Sequence, residues 1–155
     1  MSKINDFVVK FANVNGSGSA SANLMFAKSI FRMGIPVTPK NIFPSNIQGL
    51  PTWFEVRISK HGYAARREGI DCFITLNPQT YQTDLKEILP GGYLVYDNTM
   101  PRNFSRKDIN YIGIPMASIC AENYDDPRQR QLFKNIVCLG ALAALLKIDM
   151  KIIES

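Results

Sequence analysis

The sequence predicts one α/β domain: a single three-layer unit with a mostly parallel, doubly wound, Rossmann-like sheet and a β-hairpin insertion. Three observations carry this. An apolar run at residues 7–12 leads into a glycine-rich stretch at 13–23, after which Leu24, Phe26, Ala27, Ile30 and Phe31 recur at helical spacing. Strand-like and helix-like segments then continue to alternate, the pattern of a parallel sheet whose crossovers are helices. Finally, 155 residues with 46% hydrophobic and 20% charged content are enough for one buried core and no more.

In chain order, the first strand carries Phe7, Val8, Val9, Phe11 and Ala12 with one lysine, Lys10. The turn that follows contains Gly16 and Gly18, which allow positive φ and close backbone approach, and Ser17, Ser19 and Ser21 add hydroxyls. A strand, a glycine turn and a helix can cradle a phosphate on unpaired helix N–H groups. The same turn can equally serve only to let strand and helix pack. A dinucleotide fingerprint is incomplete: Ser21 stands at the third glycine, and the second strand, 35–43, supplies no acid about 20 residues on. There is no GK[ST] either, so this is not a Walker A loop. Met33-Gly34 stops the first helix, with Gly34 in the left-handed cap position.

Residues 45–51 form a polar return loop. Residues 52–59 alternate, Trp53, Glu55, Arg57 and Ser59 on one face against Phe54, Val56 and Ile58 on the other. A turn at 60–62 and a second arm at 62–66 complete the predicted hairpin. Residues 70–76 are a buried strand, and Asn77-Pro78 open a short helix to about Leu89. Pro90-Gly91-Gly92 is a turn, 93–97 a strand, 98–108 an irregular polar stretch and 110–115 a further strand. Asp126 caps a long helix with Pro127 in its first turn. That helix runs to about Lys147, apolar enough to predict burial on most sides. A last helix starts at Asp149 and the chain stops inside it, the expectation for an end cut from a longer polypeptide or docked on a partner.

Composition narrows the function. The net charge of +5, from 18 basic against 13 acidic side chains, is spread out rather than gathered on one element, which argues against nucleic acid. Cys72, Cys120 and Cys138 are far apart and odd in number, against a disulfide framework or CxxC-type ligation, and fit a reducing, cytoplasmic setting. No signal peptide is apparent, and no apolar run approaches the ~20 residues a membrane span needs. His61, the single histidine, falls in a turn, so no Ser-His-Asp arrangement is available. No catalytic set emerges. Instead polar residues gather at the predicted carboxyl ends of strands, where open α/β sheets bind ligands: Asn13, Asn15, Gly16, Ser17 and Gly18; Ser45, Asn46, Gln48 and Gly49; Asn77 and Gln79; Asp97, Asn98 and Thr99.

Residues 11–23, Arg32-Met33-Gly34-Ile35-Pro36-Val37 and above all the block Asn41-Ile42-Phe43-Pro44-Ser45-Asn46-Ile47-Gln48-Gly49-Leu50-Pro51-Thr52-Trp53-Phe54-Glu55-Val56-Arg57 resemble the γ domain of 2-oxoacid:ferredoxin oxidoreductases. The likeness is to the version fused ahead of the α domain in 2-oxoglutarate-type enzymes. Residues 90–97 and Leu139-Gly140-Ala141-Leu142-Ala143 fit later blocks, so the resemblance covers nearly the whole chain, 1–155. It implies one part of a cytoplasmic enzyme converting a 2-oxoacid and coenzyme A to acyl-CoA and CO2, with reduction of ferredoxin. Thiamine diphosphate, Mg2+ and iron–sulfur clusters would be held by α, β and ferredoxin-like partner subunits, and by none of this chain's residues. In keeping, the sequence has no GDG…NN motif. The resemblance assigns subunit-interface and coenzyme A contacts to Asn15, Gly16, Ser17, Gly18, Lys40, Ser45, Asn46, Gln48, Gly49 and Arg57. The alternative reading is a stand-alone nucleotide-binding or structural interaction module.

Overall fold

The computed structural model describes residues 6–44, 47–63 and 68–154. Among them, six strands form one sheet in the order β2-β3-β1-β4-β5-β6. The elements are β1 (Asp6–Val14), α1 (Ser19–Arg32), β2 (Val37–Ile42), β3 (Pro51–Ser59), β4 (Ile70–Thr75), α2 (Tyr81–Glu87), β5 (Ile88–Asp97), β6 (Asn110–Ile114), α3 (Met116–Asn123), α4 (Pro127–Leu145) and α5 (Met150–Glu154). β1, β4, β5 and β6 are parallel neighbours, and β3 lies antiparallel between β1 and β2. The predicted three-layer α/β fold is the observed one.

Period-2 alternation gives the sheet two different faces. Val9, Phe11, Phe54, Val56, Ile58, Cys72, Ile74 and Val95 pack on one face beneath α1 and α4, meeting Phe26, Ile30, Cys138 and Leu142. Phe11 and Phe26 make an edge-to-face contact with centroids 5.4 Å apart. The other face carries Val8, Ala12, Phe73 and Leu94, covered by Leu85 of α2 and by the stretch that leads to Ile109. From β1 the chain crosses through α1 to β2 on one side, whereas β4 proceeds through α2 to β5 on the other. β1 and β4 are therefore neighbours whose connections diverge, the arrangement that opens a crevice at their carboxyl ends.

Several local expectations hold because they rest on local chemistry. Gly34 has φ +79°, with its N–H on Phe31 O and the Ile35 N–H on Ile30 O, so the helix end closes on itself. Asp126 accepts from the Arg128 N–H at 3.0 Å with Pro127 in the first turn. Other expectations are corrected. The antiparallel element is present, but β3 makes its hairpin with the preceding β2, Lys40 opposite Glu55, and not with a following arm. Of that predicted arm, Gly62 and Tyr63 lie outside any strand, and 64–66 lie outside the described residues. Alternation identifies a strand; it does not choose the neighbour. Pro90-Gly91-Gly92 is not a turn but the start of β5, where the ladder to β4 shifts register between Ile70 and Cys72. A Cβ at position 92 would sit 2.9 Å from Asp71 O, so glycine is what lets this backbone approach. α3 was not expected. α4 buries Asn135, Cys138, Leu139, Leu142 and Ala143 yet leaves Leu132, Ile136 and Leu145 exposed, so its apolar content does not mean burial all round.

Candidate functional site at the carboxyl edge of the sheet

β1 ends in a turn closed by the Ser17 N–H on Val14 O at 3.1 Å, with Gly16 at φ +84° as the turn's third residue. Gly18, at φ +76°, is the N-cap of α1 and provides no side-chain hydrogen bond; the first turn has no acidic residue. The first helical N–H groups are therefore uncapped by side chains. The second predicted loop folds directly onto this one. Asn15 N–H donates to Leu50 O at 2.9 Å, Gly49 N–H to Asn15 O at 3.0 Å, and Asn15 Nδ2 to Ile47 O at 3.1 Å. A Cβ at position 16 would meet Gln48 Cγ at 2.9 Å, so the two loops touch through a glycine that has no side chain. Asn15, Gly16, Ser17, Gly18, Gln48 and Gly49 form one structure. Ser45 and Asn46 lie outside the described residues.

Beneath the loops, Asn13 is buried, and its carbonyl accepts from Asn77 Nδ2 at 3.3 Å. This ties the ends of β1 and β4. α4 supports the loops from the side: buried Asn135 donates from Nδ2 to Ser17 O at 3.1 Å, and Leu132 Cδ1 lies 3.0 Å from where a Cβ at position 18 would be. One residue before, Lys134 reaches Asp97 at the end of β5, 2.8 Å away. Asp97 also accepts from the Thr99 N–H and hydroxyl, and from the Ala117 N–H at 3.4 Å at the start of α3. Burial by itself would raise the Asp97 pKa, but the Lys134 ammonium and the Thr99 donors outweigh it and hold the carboxyl below its ordinary value. Beside this network lies a recess of about 420 Å³ lined by Thr99, Ser118, Arg130, Gln131 and Lys134.

Two predicted residues are not brought to this edge. Arg57 is buried mid-strand, opposite Val8, and pairs with Asp6 at 2.8 Å. Five residues separate it from Thr52, which faces Asn13, roughly 17 Å along the strand. Lys40 is exposed on the edge strand opposite Glu55, about 10 Å from that level. His61 is an exposed turn residue. Cys72 and Cys138 are buried, and burial pushes both thiols up to about 12, so they remain protonated packing groups. The edge can therefore bind and orient through amides, hydroxyls and backbone N–H groups. Sequence reasoning missed Asn135. Its signal was one amide directly before the apolar run Ile136-Val137-Cys138-Leu139.

Known proteins resemble this chain in sequence and in fold. The sequence model of the family described as pyruvate ferredoxin/flavodoxin oxidoreductase matches residues 8–155. A 2-oxoacid:ferredoxin oxidoreductase α subunit from Aeropyrum pernix is 29% identical over 82 residues, 53% of this chain and 13% of that protein. The fold superposes with a TM-score of 0.84 and 25% identity on a 2-oxoglutarate:ferredoxin oxidoreductase from Magnetococcus marinus, solved with 2-oxoglutarate, coenzyme A and succinyl-CoA. That match takes in 97% of this chain and 26% of the larger one. A keto/oxoacid ferredoxin oxidoreductase γ subunit from Geobacter sulfurreducens shares the fold at TM-score 0.76 and 18% identity, over 96% of this chain and 82% of its own. A pyruvate oxidoreductase subunit from Thermotoga maritima does so at 0.76 and 20%, over 97% and 83%. This chain thus spans only a small part of the curated relative and about a quarter of the Magnetococcus chain.

Proposed function

This chain belongs to the pyruvate ferredoxin/flavodoxin oxidoreductase family, and from that premise we propose that it is the γ component of a thiamine-diphosphate-dependent 2-oxoacid:ferredoxin oxidoreductase of the 2-oxoglutarate type. The assembled enzyme would take a 2-oxoacid and coenzyme A to acyl-CoA and CO2 and pass the electrons to ferredoxin, in the cytoplasm. The observation that carries this reading is the likeness, over 97% of this chain and 26% of the other, to an enzyme of that name whose structure holds coenzyme A. In this proposal residues 1–155 are one γ-type domain.

The chain's part is to bind and orient. The loop pair Asn15–Gly18 and Gln48–Gly49 turns amides and uncapped α1 N–H groups to one edge, which suits the phosphates of coenzyme A. Exposed Leu24 and Phe31 of α1, Ile119 of α3, and Leu132 and Ile136 of α4 offer the apolar contact for the thiamine-carrying partner. Among the described residues no group of three or more His, Cys, Asp and Glu side chains is placed to hold a metal ion. In this proposal Mg2+, thiamine diphosphate and the iron–sulfur cluster are held by partner subunits. No helix among the described residues is long and apolar enough to cross a membrane.

Co-expression with thiamine-binding and iron–sulfur partner subunits tests the reading. The expected result is one complex that contains this chain and reduces ferredoxin with 2-oxoglutarate only when coenzyme A is present. An intact, fully active complex that forms without this chain would overturn it.

A further inference from the structure

We infer that Asn135 of α4 is a positioning residue for the glycine loop, fixing which way the loop's backbone amides face; the inference rests on the reading that this loop meets coenzyme A. Asn135 is 4% exposed and sits in the middle of α4, one helical turn from Leu132. Its Nδ2 donates to Ser17 O at 3.1 Å, a contact across 118 residues of sequence. A peptide unit is planar, and in its trans form C=O and N–H point in opposite directions. Drawing the Ser17 carbonyl toward α4 therefore turns the Gly18 N–H away from α4. The loop opposite acts the same way: Gly49 N–H takes the Asn15 carbonyl, which turns the Gly16 N–H outward. Neither the Gly16 nor the Gly18 N–H finds an acceptor among the described residues.

Without the Asn135 amide, the Ser17–Gly18 peptide has little to hold its orientation. Glycine at φ +76° imposes no steric preference of its own, and among the described residues only Leu132 Cδ1 comes within 4 Å of where a Cβ at this position would be. The peptide is then free to rotate, and an amide that has to be ordered at the moment of binding binds less tightly. Asn135 thus ties α4, whose neighbouring Leu132 and Ile136 are exposed, to the glycine loop, as Lys134 ties it to Asp97.

The test uses the assembled oxidoreductase with coenzyme A as the varied substrate. Asn135→Asp keeps the volume but removes the donor; Asn135→Gln keeps a donor on a longer arm; Gly18→Ala disturbs the loop directly. Asn135→Asp is expected to raise KM for coenzyme A roughly tenfold, the scale of one lost hydrogen bond to an ordered group, with kcat at saturation changed less than twofold. Asn135→Gln should recover part of the loss. Amide exchange in the same complex provides a readout that does not depend on activity: it should quicken at residues 17–20 and not in the rest of α1. If Gly18→Ala raises KM while both Asn135 variants leave KM and exchange unchanged, the inference is wrong and the coenzyme A reading stands. If none of the three variants alters KM, the coenzyme A reading fails and the inference with it.

Discussion

The two faces of the one sheet are held in different ways. Under α1 and α4 the contact is nearly all hydrocarbon: Val9, Val56 and Ile74 against Phe26, Leu142 and Ala143, each close to fully buried. On the opposite face the cover is the seven-residue α2 and an irregular arm between β5 and β6, and that face also buries Lys10, Glu55, Arg57 and Asp84. A short helix and an arm cannot satisfy their own backbone or seal the sheet by apolar packing alone. Specific polar bonds take over there. Arg106 forks onto Asp108 and donates to Leu85 O and Ile88 O, and the Tyr111 hydroxyl donates to Arg106 O. Phe104 stacks on Tyr111 at 4.6 Å and meets Tyr96 edge-on at 4.9 Å. Trp53 Nε1 and the Thr80 hydroxyl donate to Asp84, and Lys10 pairs with Glu87 at 2.6 Å beneath Trp53 and Phe73. Packing secures the face under the long helices; directed bonds secure the other.

This contrast can be broken most strongly on the apolar side. Leu142→Ala removes a side chain with no exposure from the α4 face and should cost about 2–5 kcal/mol, read as a lower urea midpoint at unchanged slope. Arg106→Ala strips two carbonyls of their donor and loosens the arm. Its expected cost is about 1–3 kcal/mol by the same measurement, with amide exchange quickening at residues 98–109 more than in α1. A larger loss for Arg106→Ala than for Leu142→Ala would reverse the comparison.

The smallest effects sharpen it through pH. Asp97 has a cation, Lys134, and its carboxyl is held below the ordinary value of about 3.9. Its contribution is therefore present above that value and lost as pH falls through the folded one. Asp84 accepts from the neutral Thr80 and Trp53 donors, and burial raises its pKa against the pull of those hydrogen bonds, with Glu87 adding to the rise and Lys10 opposing it. Its contribution has the opposite sign, present at acid pH and lost as pH rises through the raised value. Lys134→Met should move the acid-unfolding midpoint to higher pH. Asp84→Asn should flatten the decline of stability just above the ordinary carboxylate range. If both variants moved the curve in the same direction, the assigned difference between the two carboxyls would be wrong.

What could be read in advance follows the range of the forces involved. Gly34 and Asp126 announce a helix end and a helix start because the bonds they make reach only a few residues. α3 gave no such sign: it opens on Pro115 with no side-chain cap bond, and its first turn has no acid. The strand at Pro51–Ser59 was visible from alternation, yet its partners β1 and β2 were not, since period 2 marks a face and says nothing of what lies alongside. At the candidate site the glycine loop and the loop at 47–50 were each visible as polar turns. Their union through Asn15 was not, because it depends on β3 returning beside β1 with Asn13 opposite Thr52.

By itself, then, the sequence determined the α/β class, the strand-turn-helix opening, the buried thiols and the absence of a local catalytic motif. All of these follow from periodicity, turn chemistry and composition, which act over a few residues or over the whole chain at once. Only the tertiary structure decided that Arg57 is paired within the sheet rather than at the ligand edge. It also decided that Asn135, 118 residues away, holds the carbonyl of Ser17. The physical reason is that a hydrogen bond needs its atoms within about 3 Å, and no spacing along the chain records which distant residues the packed sheet brings that close.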